Sequence, residues 1–183
     1  GYAKPYRVLY VSIIDQYKHQ WYVVEAVAAL RQEGIPVSLD LVGPAYPPAL
    51  ARLQETLSRL DPEGNWVRYH GAIPFEELHQ YYADADAGLF ASSCENMPNI
   101  LLETMAAGLP VACSNRGPMP EVLGDAGFYF NPERPGDIAR AVRELVAAPA
   151  LRKEKVAASY TAALAFDWKR CAEETFSFLT RVV

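Results

Sequence analysis

The chain has 183 residues, 51% of them hydrophobic, and a formal net charge of -5 at pH 7. That length suits one domain over residues 1–183, with a core that buries roughly 70% of the unfolded surface. The negative charge speaks against a nucleic-acid partner and a polybasic membrane anchor, and no apolar run nears the ~20 residues of a membrane-spanning helix.

Gly1-Tyr2-Ala3-Lys4-Pro5 carries no signal-peptide pattern and reads as a cut in front of Arg7. Residues 7–14 form a nearly continuous apolar run rich in β-branched side chains, which predicts a central strand buried on both faces. A helix follows over 20–32, with Val23, Val24, Val27, Ala28 and Leu30 as its apolar stripe and Gly34 just past its end. Residues 36–43 predict a second strand, 48–60 a helix stopped before Asp61-Pro62-Glu63-Gly64, and 66–70 a third strand. Pro74 opens a helix through residue 82, with Glu76 and Glu77 where the helix dipole favours them. Residues 86–92 read as a buried fourth strand, 111–113 as a fifth and 128–130 as a sixth, with a short helix over 120–123. Three helices close the chain, at 135–147, 149–165 and 168–182.

Strands alternating with helices give right-handed βαβ units. The expected fold is α/β: a Rossmann-like parallel sheet of about six strands with helices on both faces. Ligands of such sheets bind at the carboxyl ends of the strands, near a switch in strand order. Candidate positions are therefore 12–18, 43–44, 71–74, 92–99 and 114–118.

One of these edges carries a distinctive stretch, Glu95-Asn96-Met97-Pro98-Asn99-Ile100-Leu101-Leu102-Glu103. Two carboxylates frame a strand-to-helix turn. Pro98 fits a first helical turn, and the free N–H groups there make an anion site. Glu103 lies one turn after Asn99 on the same face. Eight helical residues span about 12 Å, a scale that suits a ligand with phosphate in the middle and hydroxyls at both ends. A nucleotide-sugar has that shape. Cys94 beside Glu95 reads as a small loop residue. With Cys113 and Cys171 it forms neither a disulfide framework nor a zinc site, which fits a reducing cytoplasm.

Glu-x7-Glu followed by Thr104-Met105-Ala106-Ala107-Gly108-Leu109-Pro110-Val111 resembles the signature of the retaining GT-B glycosyltransferases of family 4. The resemblance implies that Glu95 lies by the transferred sugar and that Glu103 binds the ribose hydroxyls. It also implies that Asn96, Met97, Pro98, Asn99 and Ile100 hold sugar and phosphate through the backbone. Asn96 stands where the family commonly has glycine, and Asn is the next-best residue for positive φ. After the first strand the family usually has Gly-Arg-x4-Lys, whose two cations meet the donor diphosphate. Lys18 matches the lysine, whereas Ile13 and Ser12 replace the arginine and glycine. His19 and Gln20 are further hydrogen-bonding groups beside it. Gly43 allows close backbone approach after the second strand. His70-Gly71-Ala72-Ile73-Pro74 resembles the segment whose backbone contacts the nucleobase, with Gly71 and Ile73 as its binding residues and His70 as a packing residue. Glu121, in Gly117-Pro118-Met119-Pro120-Glu121, is expected to support a helix start.

The resemblance spans about residues 7–182 and corresponds to the second of the family's two domains, the donor-binding half. An acceptor-binding first domain of the same chain would be its partner, and the segment after Asp167-Trp168 would be the final helix that packs on it. The implied reaction moves a sugar from a nucleotide-sugar to an acceptor with retention, in polysaccharide or glycolipid assembly. No cofactor and no metal are expected, and peripheral membrane association would come through the full-length protein. This half alone is expected to be inactive. Two other readings stay open. One is a nucleotide-sugar epimerase or phosphorylase-like enzyme; a pyridoxal phosphorylase lacks its late lysine, since none lies between Lys18 and Lys153. The other is a non-catalytic nucleotide-binding module, although Gly-x-Gly-x-x-Gly is absent.

Overall fold

The structure, a computed structural model, describes residues 4–182. Gly1, Tyr2 and Ala3 of the proposed cut lie outside the described residues. Six strands form one sheet: β1 (Tyr6–Val11), β2 (Val37–Val42), β3 (Val67–Tyr69), β4 (Ala87–Phe90), β5 (Val111–Ser114) and β6 (Phe128–Phe130). Their order is β3-β2-β1-β4-β5-β6 and every pairing is parallel. The helices are α1 (Gln20–Gln32), α2 (Pro47–Leu60), α3 (Leu78–Asp84), α4 (Asn99–Ala106), α5 (Met119–Leu123), α6 (Pro135–Ala147), α7 (Pro149–Ala163) and α8 (Trp168–Val182).

The strand order fixes where a ligand can sit. The chain moves outward from β1 to β3 and then returns to the middle as β4. Right-handed crossovers therefore place the helices of the two halves on opposite faces. Helix α1 packs against α2 and α6 on one face, and α4 packs against α7 on the other. Between β1 and β4 the two halves diverge and leave a crevice at the carboxyl ends. The larger apolar cluster includes Val8, Tyr10, Val24, Leu39, Phe90, Leu101 and Leu145. A smaller cluster, Leu9, Val11, Val42, Leu78, Tyr82 and Leu109, lies beneath α3.

Two glycines set close approaches. At Gly43, φ is 142°, and an added Cβ would stand 2.2 Å from the Ser12 carbonyl oxygen. The turns after β1 and β2 therefore touch, and only glycine fits. At Gly88, in β4, a Cβ would stand 2.1 Å from Thr104 Cγ2. The bare strand lets α4 lie directly on the sheet.

Several ends differ from expectation. The first strand stops at Val11 rather than 14, and Ile14 survives only as an isolated bridge to Ala45. The chain bends at Ser12 to pass over Gly43, yet Ile14 stays fully buried, so its apolar character outlasts the ladder. The helix expected from Pro74 divides into a 3₁₀ turn (Phe75–Glu77) and α3. The fourth strand is shorter than 86–92, because its pairing with β5 ends at Phe90 opposite Cys113. None of the residues of α8 is buried, and Trp168, Phe176, Phe178 and Leu179 all face solvent.

Candidate active site at the carboxyl edge of the sheet

The turn after β1 is tied at almost every residue. Asp15 caps a 3₁₀ turn, Gln16–Lys18, by accepting the Gln16 N–H at 2.6 Å. The Gln20 amide nitrogen donates to the Ile13 carbonyl at 2.8 Å, and the buried Tyr10 hydroxyl donates to the Lys18 carbonyl at 2.8 Å. Lys18 is consequently drawn inward, and its side chain is only 8% exposed. Its ammonium lies 5.1 Å from the centroids of both the Tyr17 and Phe90 rings, within cation–π range.

The partner of Lys18 is Glu95. The two side chains form a direct ion pair across 77 residues of sequence, with the carboxylate 15% exposed. Each charge offsets the desolvation of the other, and removal of either would leave an uncompensated charge. The lysine expected at the diphosphate and the glutamate expected by the sugar thus meet at the crevice between β1 and β4.

Beyond Glu95 the chain turns into α4. The Asn99 amide donates to the Met97 carbonyl at 3.0 Å, and Leu102 N–H to the Pro98 carbonyl at 3.2 Å. Pro98 precedes the helix, which starts at Asn99. Asn99 is therefore already bonded through its amide, which leaves Ile100 as the stronger amide donor of the two expected. Glu103 sits one turn into α4, half-buried, and accepts a hydrogen bond from the Tyr82 hydroxyl at 3.3 Å. Burial raises the Glu103 carboxyl above its ordinary value, and the Tyr82 bond partly opposes this. Met97 is exposed at the rim.

The remaining predicted residues gather at the β2 and β3 ends. Gly43 N–H donates to the Gly71 carbonyl at 2.8 Å, and the Tyr69 hydroxyl donates to the Gly43 carbonyl at 3.0 Å. At Gly71 φ is 70° and no atom lies within 4 Å of an added Cβ. Ile73 and Ile100 both pack on the cluster beneath α3, so the nucleobase-type segment and the start of α4 share a floor. His70 packs, as expected, but at the surface rather than in the core. It is exposed, pairs with Asp40 at 2.7 Å and meets the Tyr81 ring edge-on at 5.0 Å. Glu121 lies exposed in the first turn of α5.

In the sequence, His19 and Gln20 stand out only by their proximity to Lys18, Ser93 only as a residue at a strand end, and the role of Tyr82 is not visible. Their signal lies in pairings across the sheet, which no spacing along the chain reveals. Gln20 is fully buried, and its Oε1 has no partner among the described residues. Among the described residues no three His, Cys, Asp or Glu side chains gather as a metal site would need, and no helix is long and apolar enough to cross a membrane. A recess of about 490 Å³ lies at the opposite edge, among Arg7, Asp40, Trp66, Arg68 and Asp84. It belongs to the amino ends of the strands, away from these groups.

The doubly wound sheet thus carries a paired lysine and glutamate at its switch point and a second glutamate on the helix that follows. A family profile described as glycosyl transferases group 1 matches residues 5–148, and the chain belongs to that family. It is 33% identical over 125 residues to O-antigen chain mannosyltransferase B of Escherichia coli, covering 68% of this chain and 32% of that protein. It is 27% identical over 184 residues to a D-inositol 3-phosphate glycosyltransferase of Streptomyces avermitilis, covering 94% and 39%. Anabaena HepE, crystallised with UDP and glucose, superposes with a TM-score of 0.86 at 22% identity, over 97% of this chain and 49% of that one. That likeness concerns the fold, which is one half of a GT-B architecture. The chain spans about a third of the first relative's length and about half of HepE.

Proposed function

We propose that this chain is the donor-binding half of a retaining glycosyltransferase that moves a sugar from a nucleotide-sugar to an acceptor held by the other half of the enzyme. The observation that carries the reading is the Lys18–Glu95 pair at the β1/β4 switch point, followed by Glu103 on α4. In this scheme the donor diphosphate enters beside Lys18 and the start of α4. It takes the ammonium from Glu95, and the released carboxylate orients the sugar. Glu103 and Tyr82 hold the ribose, and the Gly43–Gly71 backbone with Ile73 frames the base.

Catalysis then rests on positioning and on electrostatic support for the departing diphosphate. Neither a metal nor a cofactor is invoked. With Ile13 exposed where a second cation would be expected, Lys18 is the main side-chain charge for the phosphates. The apolar side chains of α8 suit a surface of the acceptor half. Relatives named as an O-antigen chain mannosyltransferase and an amylovoran biosynthesis glycosyltransferase favour a role in polysaccharide synthesis. The test is a calorimetric panel of UDP-, GDP- and ADP-sugars, with a transfer assay alongside. Binding of one donor without transfer supports the reading. Robust transfer by these residues alone would overturn the assignment to half an enzyme.

A further inference from the structure

His19 is the one non-glycine residue with positive φ among the described residues, at 55°. A left-handed backbone costs a side-chain-bearing residue of order 1–3 kcal/mol unless surrounding contacts over-determine it. Here they do. His19 is 8% exposed, its ring stacks on Tyr22 with centroids 5.8 Å apart, and it meets Trp21 edge-on at 6.2 Å. Its carbonyl accepts the Tyr22 and Val23 N–H groups at the start of α1.

The informative contact lies across the crevice. His19 Nε2 is 2.8 Å from Ser93 Oγ, on the turn that leads to Glu95. Ser93 answers twice. Its N–H donates to the Tyr17 carbonyl at 2.8 Å, and its hydroxyl donates to the same oxygen at 3.3 Å. With the Ser93 hydroxyl donated to Tyr17, a ring carrying a proton on Nε2 completes the set as donor to Ser93. Lys18 therefore sits between two residues, Tyr17 and His19, that are both fastened to Ser93, and its own carbonyl is held by Tyr10. Ser93 in turn stands two residues before Glu95. The clasp sets the spacing of the β1 and β4 turns independently of the ion pair.

We propose that His19 is a positioning residue. Through its hydrogen bond to Ser93 it holds the Lys18 and Glu95 turns at the separation that a diphosphate requires. This rests on the donor-binding reading above. The alternative, a histidine that merely packs at a helix start, leaves the clasp without consequence for the ligand.

His19→Gly is the informative variant, because glycine takes the left-handed conformation freely and removes only the ring. The probes are UDP and GDP, with uridine and guanosine as controls, measured by calorimetry. A separate readout needs no nucleotide: protection of the Lys18 ammonium protons from exchange, seen by nitrogen-selective NMR. His19→Gly and Ser93→Ala should each lower diphosphate affinity by about fivefold, the worth of one net hydrogen bond. Nucleoside affinity should not change. The double variant should lose no more than either single one. Both variants should also lose Lys18 ammonium protection, whereas His19→Asn, which tolerates positive φ and keeps a donor, should restore part of both. Unchanged ammonium protection in His19→Gly overturns the proposal, as does an additive double loss. Retained clasp-dependent protection with no binding of either nucleotide would instead sink the donor reading and leave the positioning role standing.

Discussion

Gly88→Ala should damage the site from beneath, and its cost can be worked from one contact. The new Cβ would stand 2.1 Å from Thr104 Cγ2 and 3.5 Å from Thr104 Cβ, so either α4 lifts or the threonine rotates away. Rotation is opposed by the Thr104 hydroxyl, which donates to the Ile100 carbonyl at 2.8 Å. Overpacking of this kind costs about 1–3 kcal/mol, which for a domain of this size lowers the melting temperature by ~2–4 °C per kcal/mol. Thr104→Ser removes the offending methyl and keeps the hydroxyl, at a cost of ~1 kcal/mol for the lost methyl and the space it leaves. In Gly88→Ala/Thr104→Ser the alanine methyl enters that space, a swap that nearly conserves volume. The double variant should therefore be as stable as Thr104→Ser alone or more so, a coupling of about 1–3 kcal/mol. Urea unfolding followed by circular dichroism measures the cycle. Additive losses would show that Gly88 is not what lets α4 lie on β4.

Two further outcomes follow from the titrating groups. Burial pushes His19 below its ordinary value, with Glu133 opposing and Arg52 adding to the shift. The unfolded chain then takes up the proton first, so this contribution to stability is complete above pH ~6.5 and is lost as the pH falls below it. The urea midpoint should drop as the pH falls from about 6.5 to 5, and less so in His19→Asn; an equal drop in both would refute the assignment. Glu103→Gln should weaken nucleoside diphosphate binding by ~1–3 kcal/mol through lost charged hydrogen bonds, with much less effect on the 2′,3′-dideoxy nucleotide. Equal losses for both nucleotides would rule out the ribose role.

Much of the architecture was legible because two periodicities alternate cleanly along the chain. Apolar runs at 36–43 and 86–92 and the amphipathic stripe of α1 suffice for a parallel sheet, and handedness then dictates which ends bind ligand. Strand ends were less visible. Ile13-Ile14 stays apolar after the ladder stops, because Ile14 is buried beside Ala45 beyond the end of the strand. The 3₁₀ turn at Phe75 was hidden because Pro74, Glu76 and Glu77 suit a 3₁₀ start as well as an α-helical one. At the site, Lys18 and Glu95 were each visible as residues at strand ends, but their pairing across 77 positions was not. His19 gave no warning of its left-handed backbone: Trp21 and Tyr22 pack on its ring from nearby in the chain, but Ser93, its hydrogen-bond partner, lies 74 residues away.

The central claim is that Lys18, released from Glu95, holds a donor diphosphate. Calorimetric titration of uridine, UDP, guanosine and GDP into the chain and into Lys18→Ala tests it most directly, with Lys18→Ala/Glu95→Gln included so that no unpaired carboxylate repels the ligand. A charge-assisted hydrogen bond is worth ~1.5–3 kcal/mol. The diphosphate of the preferred base should therefore bind about tenfold or more weakly to both variants, while the nucleoside binds unchanged. Equal weakening of nucleoside and diphosphate, or full diphosphate affinity in the double variant, would contradict the account.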